Sequence, residues 1–202
     1  MSQVKLTADS GGGTVAIKAP ASTTGNAALE MTVPSTASGT LDTLNRAGNI
    51  LQVVSVAKTD VASTTSTSWT DITGFSAAIT PSSSSNKILV TVYLGSCVGT
   101  DAIYIGATTS DGTAIIQGDT VSGAESPSTG AYAGGNSNGE GWFGANSKTI
   151  VALHSPNTTS SFTYKMRWYV NSGTGYLNRN QSDSGQYAIR VPSTITLMEV
   201  AA

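Results

Sequence analysis

One histidine, one cysteine and twelve acidic residues are what this 202-residue chain offers to hydrolytic, redox or metal chemistry. Nucleophilic catalysis needs a Ser or Cys beside a base that a third group orients. The base would have to be His154, and no Gly-x-Ser-x-Gly elbow accompanies it. His154 stands at a strand end beside Ser155-Pro156, the position of an ordinary surface or interface histidine. The other reading is three copies meeting on a trimer axis around an ion. Cys97, inside the apolar run KILVTVYLGSCVG, reads as a small buried hydrophobe rather than a reactive thiol.

Paired carboxylates could hydrolyse a glycan. Most of the acidic residues, Asp42, Asp60, Asp111 and Asp183 among them, fall in turn clusters, where Asp is expected for local hydrogen bonding. Their spacing marks no pair. Gly139-Glu140-Gly141-Trp142-Phe143-Gly144 matches G-x-G-x-x-G, but that pattern cradles a pyrophosphate only between a strand and a helix. Here it follows Gly134 to Asn138 and precedes a β-prone stretch. The chain is therefore expected not to be an enzyme and to need no cofactor or metal.

Binding chemistry is better represented. Thr129 to Lys148 is long for a connection and carries Tyr132, Trp142 and Phe143 among Gly and Asn. Rigid rings beside adaptable amides suit carbohydrate or protein surfaces. Trp142 and Phe143 equally fit a plug in the core or a subunit interface. Tyr176-Leu177-Asn178-Arg179 forms a second polar and aromatic candidate, in which Tyr176, Asn178 and Arg179 would contact a receptor.

The elements that must position these residues are β-strands. Only 11% of the chain is charged against 39% hydrophobic, and roughly a quarter is Ser or Thr. Helix formers are scarce and pleat-favouring Thr and Val abundant. The formal net charge of −2, with its ten scattered Lys and Arg, argues against nucleic acid. No apolar run reaches membrane-spanning length, and the start MSQVKLTADS lacks a secretory segment, so membrane insertion and export are not expected.

Residues 1–49 alternate short β-prone pieces with Gly, Ser and Thr clusters, too short to close a core alone. Three chains wound together would bury Val15, Ile17, Leu29, Met31 and Val33 along a shared axis; a flexible leader is the alternative. Residues 50–202 carry about eight strands and read as a jelly-roll-like β-sandwich. In Lys87 to Leu94, Ile88, Val90, Val92 and Leu94 share one face; in Phe162 to Val170, Phe162, Tyr164, Met166, Trp168 and Val170 do. Trp69 to Ile79 reads as two short strands around Gly74, and Ser110-Asp111-Gly112 as a hairpin turn. Lys148 to Leu153 is expected to pair with Phe162 to Val170 across Pro156 to Thr159.

The pieces Gly11 to Pro20, Leu29 to Pro34, Ile50 to Asp60, Ile79 to Val90, Ser161 to Arg179 and Ser193 to Glu199 together resemble tail-fibre-like proteins of aquatic bacteriophages. The resemblance implies an all-β homotrimeric virion protein. A short N-terminal region, intertwined in the trimer, would attach it to a tail or baseplate protein. A C-terminal knob would meet a host surface glycan or lipopolysaccharide. A capsid decoration or cement protein is the alternative for a chain of this size, and a glycan depolymerase a lesser one.

Overall fold

The structure, a computed structural model, describes residues 3–7, 14–18, 46–116, 130–133 and 147–202. The chain divides into two compact units, Met1–Leu41 and Asp42–Ala202. In the first, β1 (Gln3–Thr7) and β2 (Thr14–Lys18) form an antiparallel pair. Val15 and Ile17 lie in β2 at register positions opposite Leu6 and Val4. Leu29, Met31 and Val33 lie outside the described residues.

The second unit begins before Ile50: the Gly48 amide donates to the Ala201 carbonyl at 2.9 Å, and the Ala201 amide to the Asn49 carbonyl at 2.9 Å. Its strands are β3 (Ile50–Lys58), β4 (Ala62–Thr64), β5 (Thr70–Ile79), β6 (Lys87–Leu94), β7 (Cys97–Gly99), β8 (Ile103–Thr109), β9 (Gly130–Ala133), β10 (Lys148–His154), β11 (Phe162–Val170), β12 (Gly175–Leu177) and β13 (Ser193–Val200). Two four-stranded sheets, ordered β10-β6-β13-β3 and β5-β11-β8-β9, are joined by a small one, β4-β12-β7.

The strand order has a simple origin. Strand β3 pairs with β13, β5 with β11, β6 with β10 and β8 with β9, all antiparallel. These are the pairings of one long hairpin whose tip lies between β8 and β9. A two-stranded ribbon cannot bury its own apolar face. Rolled up, it sets β13 against β6 and β11 against β8 and divides into two facing sheets. This is a jelly roll.

Period-2 alternation fills the space between the sheets. Ile88, Val90, Val92 and Leu94 of β6, with Ile195 and Leu197 of β13, meet Phe75 and Ile79 of β5, Ile103 and Ile105 of β8, and Tyr164, Met166 and Trp168 of β11. All are buried, as expected for β6 and β11. Cys97 is also wholly buried, and burial pushes its thiol up to about 12. Trp69 precedes a single strand rather than two. A bulge opposite Lys165 to Arg167 interrupts its pairing, and Gly74 takes the left-handed φ of 73° there.

Strand β10 does not pair with β11. It pairs with β6 in the other sheet, from Lys148 opposite Leu94 to His154 opposite Ile88. The residues from Ser155 to Ser161 thus cross between sheets, and the expected hairpin is absent. Away from the tip of a rolled ribbon, neighbours in sequence cross the sandwich while distant strands pair.

Two buried polar clusters fasten its ends. The Glu199 carboxylate, 0% exposed, accepts from the Ser82 amide (2.6 Å), the Ser82 hydroxyl (2.8 Å), Asn86 Nδ2 (2.6 Å) and Gln52 Nε2 (2.6 Å). These bonds outweigh its desolvation and hold its carboxyl down to about 2. Asn178, with a left-handed φ of 64°, donates to the Lys58 carbonyl (2.7 Å) and the Asp60 carbonyl (2.9 Å), and accepts from the Ser193 hydroxyl.

Candidate functional site

The crossing from β10 to β11 builds one wall of a cleft of about 270 Å3, lined by His154, Ser155, Pro156 and Phe162 and, opposite, by Thr109, Ser110, Asp111 and Thr113. The opposite wall is the turn that ends β8. Its hairpin forms as expected: the Gly112 amide donates to the Thr109 carbonyl at 3.0 Å, and Thr108 bridges to Ala114. Strands β8 and β11 are neighbours, with Thr109 opposite Tyr164, so the turn arrives beside the start of β11.

His154 Nδ1 shares a 2.9 Å hydrogen bond with the Tyr164 hydroxyl, tying β10 to β11 across the sandwich. Its ring lies 5.6 Å from Phe162, tilted, and 5.6 Å from Tyr164, edge-on. Burial lowers the imidazole pKa and raises that of the Tyr164 hydroxyl. At neutral pH both are therefore uncharged. A phenol on Nδ1 does not stabilise an imidazolium as the carboxylate of a hydrolase triad does.

Asp111 gives the cleft its charge. The Thr109 hydroxyl donates to its carboxylate, as does the Thr113 amide at 3.0 Å. The Thr109 hydroxyl is the main cause that holds its carboxyl down to about 2. The cleft thus sets an ionised acceptor and a row of hydroxyls against an aromatic ring and a proline. Its size falls just below the ~300–1,000 Å3 of sites for drug-sized molecules. Among the described residues no group of three or more His, Cys, Asp or Glu could hold a metal ion.

The sequence-derived candidates lie elsewhere. Asn178 is 1% exposed and its amide is engaged on both ends, which removes it as a receptor contact. An Asn tolerates the left-handed backbone there while satisfying strand-end carbonyls, so a polar residue serves as an interior fastener. The Arg179 guanidinium lies 4.4 Å above the half-buried Tyr176 ring. It donates to the Asn180 carbonyl (3.0 Å) and the Gln181 carbonyl (2.9 Å), and pairs with Asp183 at 2.7 Å. Asp183 also pairs with Arg190. Arg179 therefore braces its own loop. Tyr132 lies in β9, in register with Tyr104. Trp142 and Phe143, with the glycine motif around them, lie outside the described residues.

Pattern reading passed over both the cleft and a second aromatic feature. Tyr169 alternates outward on β11, as expected, yet is only 6% exposed. Tyr104 stacks on it at 4.4 Å, and Trp69 meets it edge-on at 4.8 Å. Alternation tells which way a side chain points, not what covers it. Asp111 had the signature of a turn and Phe162 that of a core residue; nothing local announced that they would share a cleft. The chain matches no protein-family model and no curated protein.

Proposed function

We propose that this chain is a homotrimeric virion protein of tail-fibre type. Its N-terminal unit attaches to the tail or baseplate, and its jelly roll holds a host surface glycan or lipopolysaccharide sugar. The observation that carries the glycan part of this reading is the cleft between Asp111 and Phe162; the virion part rests on the sequence resemblance. A sugar presents C–H faces to a ring and hydroxyls to carboxylate and hydroxyl partners, the two chemistries opposed here. Neutral His154, its Nδ1 engaged by the buried Tyr164 hydroxyl, adds a polar edge to the lining without a charge that would have to be desolvated.

Saturation-transfer NMR with oligosaccharides released from the lipopolysaccharide of a susceptible host should show binding. Asp111→Asn, and Ser110→Trp on the exposed rim, should each weaken it by roughly tenfold or more, since a charge-assisted hydrogen bond is worth about 1.5–3 kcal/mol. Binding unchanged in both folded variants places the glycan elsewhere. Shortening of the polysaccharide on incubation replaces the reading with a depolymerase. Immunolabelling of particles should mark the tail; labelling over the shell would make the chain a decoration protein.

A further inference from the structure

The outer face of the β10-β6-β13-β3 sheet has a composition that a solvated face does not need. Register places its outward residues in rows across all four strands. One row reads Thr149, Tyr93, Thr194, Ala57; the next Val151, Thr91, Thr196, Ser55; the third Leu153, Leu89, Met198, Val53. A partial fourth holds Lys87, Val200 and Ile50 at one end. Apart from Lys87 at that corner, no position carries a charge. Val53 is 56% exposed, Val151 and Leu153 54%, and Ile50 49%. Antiparallel sheets with one wet face ordinarily turn charged or strongly polar side chains outward. Clustered exposed apolar side chains mark interaction surfaces.

From this we infer that copies of this chain meet through the outer face of the β10-β6-β13-β3 sheet. The inference rests on the homo-oligomer reading above and adds to it a two-fold contact between copies, distinct from the three-fold winding of the N-terminal units. The occupant follows from self-complementarity. When a face without charges of both signs meets its own copy, no opposite charges can pair across the contact, whereas apolar side chains match one another. Hydroxyls match too, because each both donates and accepts. This face consists of those two kinds, and Ser55 and Thr196 already pair hydroxyl to hydroxyl at 3.0 Å, with either able to donate. A partner of opposite charge has nothing here to recognise.

Extent agrees with chemistry. Four strands about 4.8 Å apart and seven residues rising about 3.4 Å each give a footprint of roughly 450 Å2. Two such faces cover roughly 900 Å2 of flat area, and side-chain relief brings this to the ~1,000 Å2 that a specific interface needs.

Light scattering of the purified full chain, at micromolar concentrations, decides the matter. The wild type should have the mass of an oligomer. Val151→Glu and Val53→Glu, both at exposed positions, should weaken association by roughly 100-fold or more, because each buries an unpaired charge against its own copy. Circular dichroism and thermal melts should show them folded. Ala78→Glu, at an exposed position of the other sheet, should keep the oligomer. An oligomer mass unchanged in both glutamate variants overturns the face while leaving the homo-oligomer standing. A wild type that stays monomeric overturns both, and a face covered only on mixing with tail or shell protein assigns it to a different partner.

Discussion

On the outer face of the β5-β11-β8-β9 sheet, Asp71 sits between Lys165 at 2.8 Å and Arg167 at 3.0 Å, and Tyr169 lies between Trp69 and Tyr104. On the outer face of the opposite sheet, the central positions are Val151, Thr91, Thr196 and Ser55. The same alternation builds both faces, and both back onto one core. They differ in how their outward groups are satisfied. The first pairs its charges Asp71, Lys165 and Arg167 within the chain and covers the Tyr169 ring with Tyr104 and Trp69. The second leaves hydrocarbon and hydroxyls uncovered, which suits a surface completed by another molecule. If copies meet as proposed, self-sufficiency of a face, rather than its hydrophobic content alone, separates the solvent surface from the assembly surface.

The largest expected effect removes what the two faces share. Phe75, wholly buried, comes from the charged sheet and packs in the common core with β6 and β13. Phe75→Ala should cost about 3–5 kcal/mol by chemical denaturation. A loss under about 1 kcal/mol would mean that the sheets do not pack as described.

Next in size is the fastening of the β5–β6 connection to β13 at Glu199. Its folded pKa of about 2 lies below the ordinary value of 4.5. Its contribution is therefore fully present above pH 4.5 and is lost as the pH falls through about 2. That contribution should be on the order of 3 kcal/mol, and Glu199→Gln should flatten the melting temperature across this acid window. A variant that loses stability in acid as steeply as the wild type would assign the effect to other carboxylates.

The smallest effect tests the self-completed face. Asp71→Ala should cost only about 0–1 kcal/mol, because Asp71 is half open to water. The loss should shrink further in salt. Oligomer mass should not change, in contrast to a charge placed at Val151. A change in assembly on losing Asp71 would assign the charged face to the interface as well.

Strand content was legible from individual segments. Strand β6 places Ile88, Val90, Val92 and Leu94 inside, and β11 places Tyr164, Met166 and Trp168 there, as their alternation says. The turn at Ser110 to Gly112 was equally clear, because a glycine with φ of 90° has a local cause. The candidate site was far less legible. Asp111 and Phe162 lie fifty-one positions apart in the numbering, and they share a cleft because β8 pairs with β11. Asn178 shows the converse, a polar residue in a polar stretch that the fold draws inside.

By itself, then, the amino-acid sequence determined that this protein is built of strands, where most of them run, and which way their side chains alternate. Those properties depend on backbone sterics and period-2 burial, which act over a few residues. Only the tertiary structure decided which strand lies beside which. It parted β10 from β11, brought β13 between β6 and β3, and so made one outer face charged and left the other with Lys87 at a corner as its one charge among the described residues. Pairing is decided by how a long ribbon rolls to bury its whole apolar face. No single strand carries that information.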